Sequence, residues 1–296
     1  MAHPLLQAIR LRTLPLAAGA ILMGAGVAVR LNAFDWIIFV LTLLTAFLLQ
    51  ILSNLANDYG DFINGADAHG RADRALSSGT ISPERMKSYL LINGTLALAS
   101  GISLLLYASQ LNNISFIGML ALGILCILAA LFYTIGNKPY GYSGLGDISV
   151  WLFFGPVAIA GSVYLFTGTW QSSSLVPFIV FGLLSVAVLN VNNLRDIVTD
   201  QTSKKITIAV KLGFNQAKKY HLFLIALGML TLFIGEFSFN NNWKSLLFIL
   251  PFILYLVHCA TILKLEQSDK IGFNKQLKNL SLVNLFLAII YFYNSF

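Results

Sequence analysis

The sequence predicts an all-α, polytopic integral membrane protein, and three observations carry that prediction. Only 10% of the 296 residues are charged while 57% are hydrophobic; a soluble domain carries about 25% charged side chains. The apolar residues come in long runs, with no Asp, Glu, Lys or Arg across residues 88–137 or 148–194. Each run holds two crossings of about 20 residues joined by a short turn. The basic residues, finally, fall almost entirely on one side of the membrane.

Nine spans are expected, at residues 14–29, 36–53, 89–109, 114–133, 148–166, 175–191, 220–234, 245–263 and 280–293. The chain reads as one membrane domain over 1–296, with motif loops at about 57–87 and 192–219. The first span follows Arg10 and Arg12 and has the outline of a signal peptide. The many spans after it make it an uncleaved first helix. The first, seventh and last spans are short, and are expected to thin the bilayer or reach into its interface. Cys126 and Cys259 both lie inside apolar runs, where they read as small buried hydrophobes rather than a disulfide or metal pair.

Numbering the loops alternately places every base except Arg30 and Lys244 on the N-terminal side, out of 19. The positive-inside rule then puts the N-terminus and the long loops in the cytoplasm and the C-terminus outside. A miscounted span would scramble this asymmetry, so it also supports the count of nine. The net charge of +7 therefore reports topology and anionic lipid rather than nucleic acid.

The acids are more informative. All but Asp35 and Glu236, of 12, lie on the same side as the bases, and several cluster at span ends. After span two comes Asn57-Asp58-Tyr59-Gly60-Asp61, continuing to Gly65 and Asp67; after span six comes Asn192-Asn193-Leu194-Arg195-Asp196, continuing to Asp200. Asp58 and Asp61 are three residues apart, Asp196 and Asp200 four, so each pair shares one helix face. Both segments also carry Asn four residues before an acid, as Asn57 to Asp61 and Asn192 to Asp196.

Two carboxylates about 6 Å apart repel by roughly 3 kcal/mol at an effective dielectric near 20, so two such pairs at a membrane edge need a partner. Mg²⁺ takes oxygen ligands, commonly one or two carboxylates plus phosphate oxygens. The residues thus suggest two carboxylate clusters facing each other across Mg²⁺ and a phosphorylated substrate. Arg74 follows the first cluster, and Lys204 and Lys205 the second; these bases would offset diphosphate charge that the metal leaves uncompensated. Pro83 and Glu84, after Ser82, read as the start of the helix entering span three. A third segment, Asn137-Lys138-Pro139-Tyr140-Gly141-Tyr142-Ser143-Gly144-Leu145-Gly146-Asp147, joins spans four and five at the same face. Its turn could hold a flat ring, with Lys138, Tyr140, Tyr142 or Asp147 touching a carboxylate or hydroxyl.

With Arg12-Thr13-Leu14-Pro15 at the start and Asn137-Lys138-Pro139-Tyr140-Gly141-Tyr142 in the middle, these motifs resemble the UbiA superfamily of membrane prenyltransferases. The likeness covers nearly the whole chain and is strongest to the 1,4-dihydroxy-2-naphthoate branch, in bacterial inner membranes. It implies nine helices around a central cavity. It further implies that Asp58, Asp61, Asp196 and Asp200 hold Mg²⁺ on a polyprenyl diphosphate, with Asn57 and Asn192 beside them. Arg74, Lys204 and Lys205 would neutralise the diphosphate. The broad family pattern has an acid where Gly65 stands, and Asp67 is the candidate substitute ligand.

The implied reaction moves the polyprenyl group onto dihydroxynaphthoate with loss of CO₂ and diphosphate, giving demethylmenaquinol for menaquinone synthesis. An apolar cavity would shield the allylic cation from water, with Trp151, Phe153, Phe154, Tyr59 and Tyr133 as candidate walls. Another acceptor, such as 4-hydroxybenzoate, is the alternative within the superfamily. An ion-coupled transporter would need ionisable groups at mid-span. Only His258, taken as a lone satisfied helix histidine, comes near one.

Overall fold

The computed structural model describes residues 4–65, 74–239 and 243–296, and all regular structure among them is helical. The elements are α1 (Pro4–Ile9), α2 (Leu14–Arg30), α3 (Trp36–Ile63), α4 (Pro83–Leu111), α5 (Phe116–Phe132), α6 (Gly146–Leu152), α7 (Gly161–Thr167), α8 (Leu175–Thr202), α9 (Ile208–Leu212), α10 (Phe214–Phe239), α11 (Ile249–Lys264) and α12 (Lys270–Tyr293). Eight segments are long and apolar enough to cross a bilayer, and α5 is a shorter apolar helix of 17 residues. All nine expected spans thus correspond to helices.

The helices overrun the expected spans on the motif side. At 1.5 Å per residue, the 28 residues of α3 measure about 42 Å, against a hydrocarbon core of about 30 Å. Hydropathy falls at Ser53, but helical hydrogen bonding continues to Ile63 and carries the first acidic motif on a rigid stalk. α8 does the same for the second. The caps follow the local sequence. Asp35 starts α3 by accepting from the Ile37 and Ile38 amides, both at 2.8 Å, and Ser82 starts α4 by accepting from the Arg85 amide.

Burial separates two kinds of helix. α2 and α8 form the centre: α2 packs on α12 and α3, and α8 on α10, α12 and the fifth span. Small residues permit this proximity, since a Cβ on Gly19 would meet the Phe181 ring at 2.5 Å. α5 has no buried residue, and Leu91 of α4 and Ile117 of α5 are 73% and 81% exposed. Such apolar surface belongs against lipid tails.

The fifth span is not a uniform helix. Between α6 and α7, Phe153–Ala160 winds as a π-helix around Pro156. Proline lacks the amide hydrogen that a regular turn uses, and a wider turn absorbs the break.

At the end of the molecule away from the motifs, Arg30 donates to both carboxylate oxygens of Glu236 at 2.8 and 2.9 Å. Lys244 lies 5.3 Å from the Tyr293 ring centre. One expectation needs correction. His258 is not alone: its Nε2 is 2.9 Å from Nε2 of His221, and its Nδ1 is 2.7 Å from Oε1 of Gln276. Three helices, α10, α11 and α12, thus share one buried polar chain. A histidine at the motif-side edge of span seven gives no hint of a partner on the next helix.

Candidate active site

The three motif segments meet at one point, Asp61. This carboxylate is 3% exposed and accepts from Nη2 of Arg74 at 3.0 Å and from the Tyr142 hydroxyl at 2.6 Å. Nζ of Lys205 stands 3.9 Å from its Oδ1 and 5.2 Å from the Tyr142 ring centre. The Tyr142 carbonyl also accepts from the Ile206 amide at 3.0 Å, which ties the middle segment to the loop after α8. Asp58, one turn before Asp61 and 1% exposed, is 3.5 Å from Nη1 of Arg74. A single guanidinium therefore spans both acids of the first motif, the fork geometry that suits arginine to this task.

Two glycines allow the approach. A Cβ at Gly60 would stand 2.5 Å from the Thr134 carbonyl oxygen, and one at Gly141 would stand 2.6 Å from the Tyr133 carbonyl oxygen. Thr134 is also fastened to α3, donating to the Ala56 carbonyl at 2.9 Å and to Oδ1 of Asn57 at 3.3 Å.

The second motif is organised by its own arginine. Arg195 grips the adjacent Asp196 through Nε at 2.8 Å and Nη2 at 2.6 Å. The same guanidinium donates to Oδ1 of Asn192 at 2.8 Å and to Oδ1 of Asn274 on α12 at 2.7 Å. Arg12 reaches that Asn274 oxygen at 3.3 Å. Asp200 is buried, and its carbonyl accepts from the Lys205 amide at 2.8 Å, which turns the chain back toward Asp61. The Tyr133 hydroxyl is within electrostatic reach of Asp147, Asp61 and Asp200 together.

Below this charged layer lies a cavity of about 370 Å³, within the usual range for small-molecule sites. Asn57, Asn192, Tyr133 and Tyr140 line its polar end; the walls are aliphatic, with Phe153 and Phe154 from the π-helical stretch. It follows α3 from Asn57 to Thr42, a rise of about 22 Å at 1.5 Å per residue.

Several expectations change in detail. Among the described residues no three acidic, histidine or cysteine side chains converge as a preformed metal site. Arg74, Lys205 and Arg195 stand on the carboxylates instead. Asp67, named with those acids, lies outside the described residues. Lys204 is exposed, with φ at 57°, whereas Lys205 turns inward. Tyr142 engages Asp61, and Asp147 accepts from the Tyr220 hydroxyl at 2.8 Å. Lys138 is exposed. Tyr140 lines the cavity and donates to the Ala129 carbonyl at 2.8 Å; burial pushes its phenol above the ordinary value of 10.

Two of the expected aromatic walls belong elsewhere. Trp151 packs edge-on against Phe178, and Tyr59 packs with the cluster around Leu55 and Leu76. Sequence reasoning missed Asn274 and Tyr220, whose surroundings carry no motif, and left Arg195 without a role. Its place inside the second motif was the available signal.

A profile of the UbiA prenyltransferase family matches residues 15–280. The 1,4-dihydroxy-2-naphthoate octaprenyltransferase of Escherichia coli (strain K12) is 45% identical over 242 residues, 80% of this chain and 78% of that protein. The protein of the same name from Haemophilus influenzae is 38% identical over 286 residues, 95% of this chain and 92% of that one. Among solved structures, the apo form of a UbiA homolog from Aeropyrum pernix K1 superposes with TM-score 0.68 at 17% identity, covering 96% of each chain. A UbiA homolog from Archaeoglobus fulgidus bound to GPP and Mg²⁺ gives TM-score 0.65 at 17% identity, covering 99% of each. From its helices, its motifs and these likenesses, the chain belongs to the UbiA prenyltransferase family.

Proposed function

We propose that this protein transfers a polyprenyl group from polyprenyl diphosphate to 1,4-dihydroxy-2-naphthoate, releasing CO₂ and diphosphate and giving demethylmenaquinol for menaquinone synthesis. It does so in the bacterial inner membrane, with the motif end facing the cytoplasm. The observation that supports this best is the joining of three motif segments on Asp61 at the polar end of an apolar cavity. A lipid-soluble tail fits the cavity, and a charged head fits the layer above it. The names of the E. coli and H. influenzae relatives favour the naphthoate acceptor.

Mg²⁺ fits the residues by donor chemistry. Asp58, Asp61, Asp196 and Asp200, with the amide oxygens of Asn57 and Asn192, offer only hard oxygen ligands. Arg74 already bridges Asp58 and Asp61, Lys205 stands beside Asp61, and Arg195 grips Asp196, so a divalent cation would help to offset the charge of an entering diphosphate. Bound there, Mg²⁺ would supply charge neutralisation and Lewis acidity to the leaving diphosphate.

The chain's own residues do the rest. Arg74 and Lys205 exchange part of their contact with Asp58 and Asp61 for diphosphate oxygens as charge builds on the leaving group. Lys204, at the rim, adds long-range attraction. The allylic C–O bond breaks, its electrons leave with diphosphate, and the ring carbon bearing the carboxylate attacks the delocalised cation. Loss of CO₂ returns the bonding electrons to the ring. Phe153, Phe154 and the aliphatic walls exclude the water that would otherwise capture the cation. Tyr140 faces the ring from the cavity wall; Tyr142 and Asp147 act indirectly by holding Asp61 and Tyr220, and Lys138 stays at the edge.

The test is acceptor competition. The protein in nanodiscs, supplied with Mg²⁺ and a polyprenyl diphosphate, is expected to prenylate and decarboxylate dihydroxynaphthoate at least tenfold faster than 4-hydroxybenzoate. Turnover of 4-hydroxybenzoate alone would overturn the acceptor assignment.

A further inference from the structure

The end of the molecule away from the motifs holds a second cavity, of about 550 Å³. Three helix C-termini meet at its wall: α2 contributes Leu31 and Asn32, α4 contributes Leu111 and Asn112, and the fifth span contributes Phe166 and Thr167. Asn32 closes the first of these ends by turning into the left-handed region at φ 54°, a conformation that asparagine tolerates. A helix C-terminus carries a partial negative charge, felt over its last turn. α3 starts at the same wall, and the Asp35 carboxylate caps it.

The side chains share that sign. Asp35 lines the cavity; its Oδ1 accepts two backbone amides, and its Oδ2 meets the Tyr107 hydroxyl at 3.4 Å. Asn112 gives its amide nitrogen to the Leu165 and Phe166 carbonyls at 2.9 and 3.0 Å, which fixes its oxygen as an acceptor. Gln171 likewise gives its nitrogen to the Thr169 hydroxyl at 2.8 Å. Among the described residues the lining includes one acid and no base, and Arg30, next along the chain, is turned to Glu236. A cavity built of acceptors calls for a cation that donates hydrogen bonds.

We propose that this cavity binds the primary ammonium of a phospholipid head group in the leaflet away from the motifs. Trp36 and Trp170, 65% and 60% exposed, adjoin the lining residues Asp35 and Gln171 in sequence. Exposed tryptophans of this kind sit at the head-group level of a bilayer. One carboxylate balances one ammonium, whose three N–H donors match the acceptors present. A bare Ca²⁺ would instead take about six to eight oxygens, and among the described residues no three acidic, histidine or cysteine side chains converge. The apolar part of the lining, Leu31, Phe34 and Ile38, suits the start of the lipid chains. Bound there, the head group ties together α2, α4 and the fifth span, whose Ile21, Leu105 and Leu165 wall the larger cavity. It braces those walls from the far end.

The experiment titrates the full chain in detergent with short-chain phosphatidylethanolamine, phosphatidylcholine or phosphatidylglycerol, read by native mass spectrometry and melting temperature. Phosphatidylethanolamine is expected to bind roughly tenfold tighter than the other two, the scale of a hydrogen bond to a charged group. It should also raise the melting temperature most. Asp35→Asn removes the charge but keeps the helix cap, since asparagine caps as well as aspartate; it should abolish the preference. Asp269→Asn makes the same change at the cap of α12, on the motif side, and should keep it. Gln171→Leu, in the loop before α8, should weaken phosphatidylethanolamine binding alone. Equal affinity of the unsubstituted protein for the three lipids, or a preference that survives Asp35→Asn, would overturn the proposal. If Asp35→Asn failed to fold, unchanged binding by Gln171→Leu would overturn it equally. Free ethanolamine that competes as well as the lipid would make this a soluble-amine site and overturn the lipid assignment.

Discussion

The two acidic motifs have the same spacing logic but are held by different kinds of partner. Asp61 is gripped by groups far along the chain: Arg74 after the motif, Tyr142 from the middle segment and Lys205 from beyond α8. Asp196 is gripped by its neighbour Arg195, which is fixed by Asn192 one turn away and by Asn274 on α12. The first motif is therefore assembled by loops and the second by packed helices. Loop partners can trade a carboxylate for an incoming diphosphate with little repacking. Helix partners form part of the scaffold, and disturbing them disturbs the fold. The first motif is poised to respond to substrate, and the second gives it a fixed wall to close against.

That contrast predicts which substitutions cost stability and which cost rate. The largest stability loss is expected from Arg195→Gln. It removes the guanidinium that grips Asp196, 6% exposed, and breaking a buried pair costs about 3–5 kcal/mol. Thermal unfolding in detergent should show it, together with lost activity; an unchanged melting temperature would break the comparison.

Gly60→Ala comes next. Its new methyl would press on the Thr134 carbonyl at 2.5 Å, and overpacking of this kind costs about 1–3 kcal/mol. Tyr142→Phe should lower kcat by about tenfold through one lost hydrogen bond to a charged group, with the melting temperature nearly unchanged. A large stability loss there would show that the first motif is scaffold too. The smallest effect belongs to Asn274→Ala. It removes one acceptor from Arg195, about 1 kcal/mol, and should appear in stability before it appears in rate.

The spans were legible because lipid forbids charge, so uncharged runs delimit helices with few alternatives. Their ends were less so. α3 and α8 leave the membrane as polar helices, and hydropathy at Ser53 or Val191 stops reporting on a structure that backbone hydrogen bonds continue. The proline-driven π-helix at Phe153–Ala160 was also hidden, since a single Pro156 does not announce which turn will widen.

In the site, the acids and their asparagines could be found because they repeat a short-range pattern. Their partners could not. Tyr142 and Asp61 are 81 residues apart in sequence, and Arg195 and Asn274 are 79 apart. Helix periodicity does not reach such distances. The middle segment illustrates the limit: it was placed at the correct face, yet Tyr142 faces an acid rather than the ring expected there.

The central claim is that Asp61 joins three segments into one site for metal-assisted prenyl transfer. Radiolabelled prenyl transfer to dihydroxynaphthoate in nanodiscs tests it, comparing the unsubstituted protein with Asp61→Asn, with and without Mg²⁺. The account predicts transfer only by the unsubstituted protein with Mg²⁺, and at least a hundredfold loss in Asp61→Asn at an unchanged melting temperature. Full transfer by Asp61→Asn, or by the unsubstituted protein after chelation of divalent cations, would contradict it.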